Sequence, residues 1–159
     1  MNFRRRLVDH VVPTIVLVVI CLVVTCALAF TYSKTKTAID SNAQKTQEEA
    51  AKEVLGEKEG KALEETVQSY GGEMSVMVGI SNEGKVTGVK VISHADTPGL
   101  GTKAMETDYL TQYKGIKKLD HESIREDESK DAVTGATISS NAVYAAVKKA
   151  LLEYENVGR

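Results

Sequence analysis

MSVMVGISNEGKVTGVKVIS, Met74–Ser93, decides the fold class. Met74, Val76, Val78 and Ile80 alternate with Ser75, Met77 and Gly79, the period of two that turns one face of a strand toward a core. Ser81-Asn82-Glu83-Gly84 has the chemistry of a hairpin turn. Val86 to Ser93 reads as the returning strand, with Val89 and Val91 on one face and Val86 and Ile92 on the other. Farther along, Ala142, Val143, Ala146, Val147, Ala150, Leu151 and Tyr154 recur at helical spacing. Lys148, Lys149 and Glu153 take the other side, so 141–154 predicts a helix. An antiparallel hairpin with helices beside it defines an α+β domain.

Upstream, Tyr70-Gly71-Gly72 marks a turn, and Ala62–Gln68 is open between a helix end and an edge strand. Gly56 and Gly60 interrupt the helix-compatible, polar stretch 35–55. Its weak apolar stripe of Ala50, Ala51, Val54 and Leu55 suits a solvated juxtamembrane stalk. Val11–Phe30, VVPTIVLVVICLVVTCALAF, has no charge and matches the ~20 residues needed to cross a bilayer as a helix. Pro13 is placed in the first turn of this span, where a missing N–H is tolerated. Arg4, Arg5 and Arg6 precede the span, while Lys34 and Lys36 follow it, which favours a cytoplasmic N-terminus. The expected organisation is a cytoplasmic N-terminus at 1–10, a transmembrane helix at 11–32, a stalk at 33–60 and an extracytoplasmic domain at 61–159. A cleaved signal peptide is the competing reading, since Ala27-Leu28-Ala29 has the small-x-small form of a cleavage site. Cys21 and Cys26 both lie within the apolar run and offer no disulfide or metal set.

Downstream of the hairpin, His94-Ala95-Asp96-Thr97-Pro98-Gly99-Leu100-Gly101-Thr102 forms a tight, exposed loop. Lys103–Tyr113 predicts a helix stopped by Gly115, Ile116–Leu119 a short strand, and Asp120–Lys130 a solvated connection. The net charge of −2 and the absence of tryptophan argue against nucleic acid as a partner. No Gly-Lys-Ser/Thr ending makes a P-loop. His10, His94 and His121 form no sequence-legible nucleophile–base pair. No catalytic residue and no metal set is assigned.

The last motif is DAVTGATISSNAV, Asp131–Val143. Read structurally, Gly135 makes a turn and Ser139, Ser140 or Asn141 caps the final helix. Read functionally, a helix N-terminus offers unpaired N–H groups and partial positive charge to an anion. A threonine hydroxyl just before it could hold a phosphate as an ester, and Gly135 and Ala136 would let a bulky group approach.

Asp131-Ala132-Val133-Thr134-Gly135-Ala136-Thr137 resembles the flavinylation motif, Asp-x-x-Ser/Thr-Gly-Ala-Thr, of the FMN-binding domains of bacterial respiratory complexes. Tyr70-Gly71-Gly72 with VMVGI, Gly84 to Val89, and His94 to Gly101 resemble that family's turn, hairpin and His-x-Glu-Thr-Pro-Gly-Leu-Gly loop. With one N-terminal span, the order of these stretches is most similar to the G subunit of Rnf-type complexes. The resemblance covers roughly Tyr70 to Leu151 and the anchor. It implies FMN bound covalently through its phosphate to Thr137, placed there by a flavin transferase. It implies a cofactor site of Asp96, Thr97, Pro98, Gly99, Leu100, Gly101, Thr134, Gly135, Ala136, Ile138 and Ser139, with Asp131 serving the flavinylation motif.

The implied role is electron carrier in a membrane complex that couples transfer between ferredoxin and NAD to ion translocation. Other membrane subunits and lipid are the implied partners, and little catalysis is expected of the chain alone. A stand-alone flavin carrier, or a non-redox membrane-tethered binding module, is the alternative. Asp96 stands where the family has glutamate. The stretch between the anchor and Tyr70 is short for the family, so the strands placed there are expected to be reduced or absent.

Overall fold

The computed structural model describes residues 3–157. The chain divides into two compact units, at 1–44 and 45–159. Helix α1 runs from Phe3 to Leu55. Within the first unit its side chains from Val11 to Phe30 are exposed. An 18-residue window of mean hydropathy 3.0, with none of it buried, makes the helix long and apolar enough to cross a membrane. Two hydroxyls of this helix bond back to its own backbone: Thr25 Oγ1 donates to the Cys21 carbonyl at 2.7 Å and Thr31 Oγ1 to the Ala27 carbonyl at 2.9 Å. Pro13 lies well inside the helix rather than in its first turn, so the carbonyl four residues upstream lacks its usual donor. The basic side chains at 4–6 fall outside the described side chains.

The second unit is built on a three-stranded antiparallel sheet in the order β1-β2-β3. Its strands are β1 (Gly60–Gln68), β2 (Glu73–Ser81) and β3 (Val86–Ser93). The open segment 62–68 is therefore an edge strand, paired in continuous register with β2, and the strand expected to be reduced is present. Two short 3-10 turns, Gly101–Met105 and Thr111–Tyr113, flank a single helical turn α2 (Thr107–Leu110). They replace the continuous helix expected over 103–113. Gly115, at φ +82°, does end this segment. Ile116–Leu119 is no strand; the Ile116 carbonyl accepts from the Val86 N–H at 2.9 Å and the Gly115 N–H donates to the Val86 carbonyl at 2.7 Å, a two-bond contact that does not extend into a ladder. Helix α3 (Thr137–Val157) closes the domain.

One sheet face carries Val67, Met74, Val76, Val78, Ile80 and Val86. It packs on Ala142, Val143, Ala146, Val147, Ala150 and Leu151 of α3, the stripe legible in the sequence. Val86 joins Val89 and Val91 on this face, against the simple alternation. The cause is a bulge: Gly79 pairs with Gly88 but Ile80 pairs with Val86, so Thr87 is an extra residue that resets the parity.

The opposite sheet face is covered too. Ala50 and Val54 of α1 are buried with Met77. A Cβ on Gly79 or Gly88 would lie 2.5 or 2.8 Å from the Val54 carbonyl oxygen, so these glycines let the helix end approach the sheet. Thr87 Oγ1 donates to that same carbonyl at 2.6 Å, and Gly56, at φ +60°, ends the helix. The expected solvated stalk thus ends early, because from Lys45 onward the helix belongs to the compact unit.

Candidate functional site

The segment between Tyr113 and α3 has no regular structure, yet α3 pins it by one stripe of side chains. Asn141 Oδ1 accepts from the Ile124 N–H at 3.0 Å. The Tyr144 hydroxyl donates to Asp127 Oδ2 at 3.1 Å, and Lys148 Nζ reaches the His121 carbonyl at 3.1 Å. Most of 120–130 is exposed, as its composition suggests, but Ile124 and Asp127 are buried and anchor it to the core. Hydrogen bonds from Ser129 hold the Asp127 carboxyl below its ordinary range, burial opposing them. Burial and Asp127 push the Tyr144 phenol up to about 12.

The motif at 131–139 enters α3 through a turn. The Ala136 N–H donates to the Val133 carbonyl at 2.9 Å, and the Ala136 carbonyl accepts the first helical bond, from Ser140, at 2.9 Å. Gly135 sits at φ +83°, the left-handed conformation this turn requires. The helix begins at Thr137, so Ser139, Ser140 and Asn141 are inside it and do not cap it. Each has another task. Ser140 Oγ accepts from the Val133 N–H at 3.0 Å, Asn141 holds Ile124, and Ser139 turns to Asp96.

Asp96 is the junction of the site. It is 4 % exposed. Its Oδ2 accepts from Ser69 Oγ at 2.6 Å and its Oδ1 from the Gly71 N–H at 2.5 Å. Burial works most strongly against its charge. The hydrogen bonds from Ser139, Ser69 and Gly71, with attraction to His94, overcome it and hold the carboxyl below its ordinary value. One carboxylate therefore ties the Tyr-Gly-Gly turn, the 94–101 loop and the first turn of α3 together. No side chain fits at Gly71, where a Cβ would stand 2.1 Å from the Ala95 carbonyl oxygen. Gly101 is tight as well, its Cβ position lying 2.8 Å from Asp96 Cβ and 3.0 Å from Ser139 Oγ.

These contacts bring the two predicted stretches together around an open cavity of about 410 Å³. Thr97, Leu100 and Gly101 line it from one side, and Gly135, Ala136, Thr137, Ile138 and Ser139 from the other. Asp96, Pro98, Gly99 and Thr134 do not line it. Asp96 lies behind it, Gly99 occupies an open turn at φ +77°, and Thr134 is exposed. Asp131 is exposed beyond the cavity, its backbone paired with the Gln112 side chain at 2.9 and 3.2 Å.

Two lining residues have no role assigned from the sequence, Tyr70 and Arg125. Tyr70 was legible only as part of a turn, and nothing in the charged 120–130 run singles out Arg125. Four large apolar side chains are exposed among the described side chains of residues 45–156, and Tyr70, Leu100 and Ile138 are three of them, all on this cavity. A hollow of this size, within the ~300–1,000 Å³ of small-molecule sites, with an apolar rim and a hydroxyl at a helix start, suits a planar aromatic ligand carrying an anionic group.

An α+β domain with such a site falls in the class of flavin-binding modules, and sequence comparison agrees. The FMN-binding domain family matches residues 69–152, and the chain belongs to that family. It is 39% identical over 88 residues to the G subunit of the proton-translocating ferredoxin:NAD(+) oxidoreductase complex of Clostridium ljungdahlii, covering 53% of this chain and 47% of that protein. It is 42% identical over 94 residues to the G subunit of the ion-translocating oxidoreductase complex of Vibrio cholerae, covering 55% and 44%. With the G subunit of the Na(+)-translocating ferredoxin:NAD(+) oxidoreductase complex of Acetobacterium woodii it shares 31% over 123 residues, covering 70% and 59%. The chain spans about half the length of the curated relatives it matches.

Proposed function

We propose that this chain is a membrane-anchored electron carrier that holds FMN covalently, through a phosphoester on Thr137, as the G-type subunit of an Rnf-type complex. The observation that carries the reading is the position of Thr137. It opens α3 and lines the cavity, and no hydrogen bond to another described residue occupies its hydroxyl. The first N–H groups of α3 have no intrahelical acceptor and favour an anion beside them. The cavity fits the cofactor on its own chemistry: the side chains of Tyr70, Leu100 and Ile138 suit an apolar ring, and the left-handed turn at Gly135 keeps the backbone bare at its edge.

Bound FMN would supply reversible electron transfer at its ring system. The chain's own residues bind and orient it. Leu100 and Ile138 would shield the ring from water, Thr137 tethers the phosphate, and Asp96 keeps the two walls in register from behind. Attachment needs an activated flavin nucleotide and a flavin transferase: Thr137 Oγ loses its proton and forms the new O–P bond as the activating phosphate leaves. Asp131, exposed and outside the cavity, is available to that transferase.

Arg4 to Arg6 favour a cytoplasmic N-terminus and a domain on the outer side, where a tether prevents loss of the cofactor. The similarity to G subunits of ion-translocating complexes supports an assembly in which other membrane subunits pass electrons to and from this domain. Such a complex would couple ferredoxin–NAD electron transfer to ion translocation.

The test is ultraviolet illumination of a denaturing gel, using full-length protein from a host that has the transferase and exports the domain. A fluorescent band at the chain's mass is expected, and Thr137→Ala should lose it while keeping its melting transition. A band that persists in the alanine variant refutes the attachment site.

A further inference from the structure

Thr137 stands between two hollows. Besides the cavity of about 410 Å³, a second of about 310 Å³ is lined by Ser123, Arg125, Thr137, Ile138 and Asn141. Thr137, Ile138 and Arg125 border both. Among the described residues, Arg125 is the one charged side chain lining either. Its guanidinium takes part in none of the ion pairs among those residues.

The backbone that presents it is held on both sides. Ile124 is buried in the core and its N–H is bound by Asn141, one helical turn below Thr137. Asp127 is buried against Tyr144. An uncompensated cation is thus delivered by a fixed segment to the residue that opens α3.

We infer that Arg125 binds the phosphodiester formed at Thr137, neutralising its charge and fixing the direction in which the flavin leaves the helix. The inference rests on the proposed covalent attachment. A phosphate esterified on two sides keeps one acidic oxygen and is an anion at every physiological pH. An anion beside the apolar rim of Leu100 and Ile138 needs a counter-charge. The planar fork of a guanidinium matches phosphate oxygens and is always protonated. With the phosphate held by Arg125, the ring is directed into the larger hollow and kept out of the smaller.

The experiment uses full-length protein in detergent, made with the transferase, as wild type, Arg125→Ala and Arg125→Lys. Three readouts are taken: the fluorescent band on a denaturing gel, flavin fluorescence anisotropy, and the 31P resonance of the phosphodiester. Thermal melting controls for folding, and the exposed Arg125 side chain should leave it unchanged. The expected result is a band in all three proteins. In Arg125→Ala the anisotropy should fall toward that of free FMN and the 31P resonance should move, and lysine should restore part of both.

If alanine blocks attachment and lysine permits it, the charge is needed when the phosphate arrives, and the inference stands. If alanine matches wild type in anisotropy and 31P shift, or if lysine behaves as alanine does, the pairing is overturned. A wild-type protein with no band refutes the covalent attachment itself, and this inference falls with it.

Discussion

Replacing Asp96 by alanine tests how the site is assembled. The change deletes an acceptor 4 % exposed and strands three donors: Ser69 Oγ at 2.6 Å, the Gly71 N–H at 2.5 Å and the Ser139 hydroxyl. Each hydrogen bond to a buried charge contributes ~1.5–3 kcal/mol, and the three are not additive. Relief of the buried charge offsets part of the loss, which leaves a net cost of about 3 kcal/mol. For a domain of this size that lowers the melting temperature by roughly 10–20 °C. The pH dependence supplies a second check. Asp96 has its folded-state value held below the ordinary 3.8, so its stabilisation is complete above the unfolded value and is lost as pH falls through the folded one. Thermal melts followed by circular dichroism at pH 7, and again well below pH 3.8, should therefore show the gap between wild type and Asp96→Ala shrinking on acidification. A gap under ~0.5 kcal/mol at pH 7, or one that widens in acid, would refute the view of Asp96 as the tie between the three segments.

Truncation should separate the two parts of α1. A chain beginning at Lys45 keeps Ala50 and Val54 and should melt like the full domain. One beginning at Lys58 loses the buried valine and the acceptor for Thr87, at a cost of about 3 kcal/mol; equal melting curves would show that the helix end contributes nothing. Two glycines should part company in the same assay. Gly71→Ala drives a methyl into the Ala95 carbonyl and should prevent stable folding, whereas Gly99→Ala meets nothing within 4 Å and costs only the ~1–2 kcal/mol of its left-handed backbone; similar losses for both would contradict this packing.

The local rules were legible in the residues themselves. Alternation from Met74 to Ile80, the turn at 81–84, the α3 stripe and the long apolar run each follow from neighbours within a few positions. So does the motif ending at Thr137, because a turn and a helix start are local events. The features that sequence reasoning missed depend on partners far along the chain. Val86 changes faces because Thr87 bulges, and only pairing with β2 reveals a bulge. Ala50 and Val54 read as a weak stripe because the surface they cover, Met77 with the bare backbone of Gly79 and Gly88, lies elsewhere in sequence. Ser139 reads as a cap until the fold sets Asp96 beside it, and Arg125 is one charge in a charged run until Asn141 holds its neighbour at the mouth of α3. A sequence displays propensity and period, which are properties of adjacent residues. The convergence of Tyr70, Leu100, Arg125 and Thr137 on one hollow arises only when the chain folds back on itself, because burial and hydrogen bonding act across space and leave no period behind.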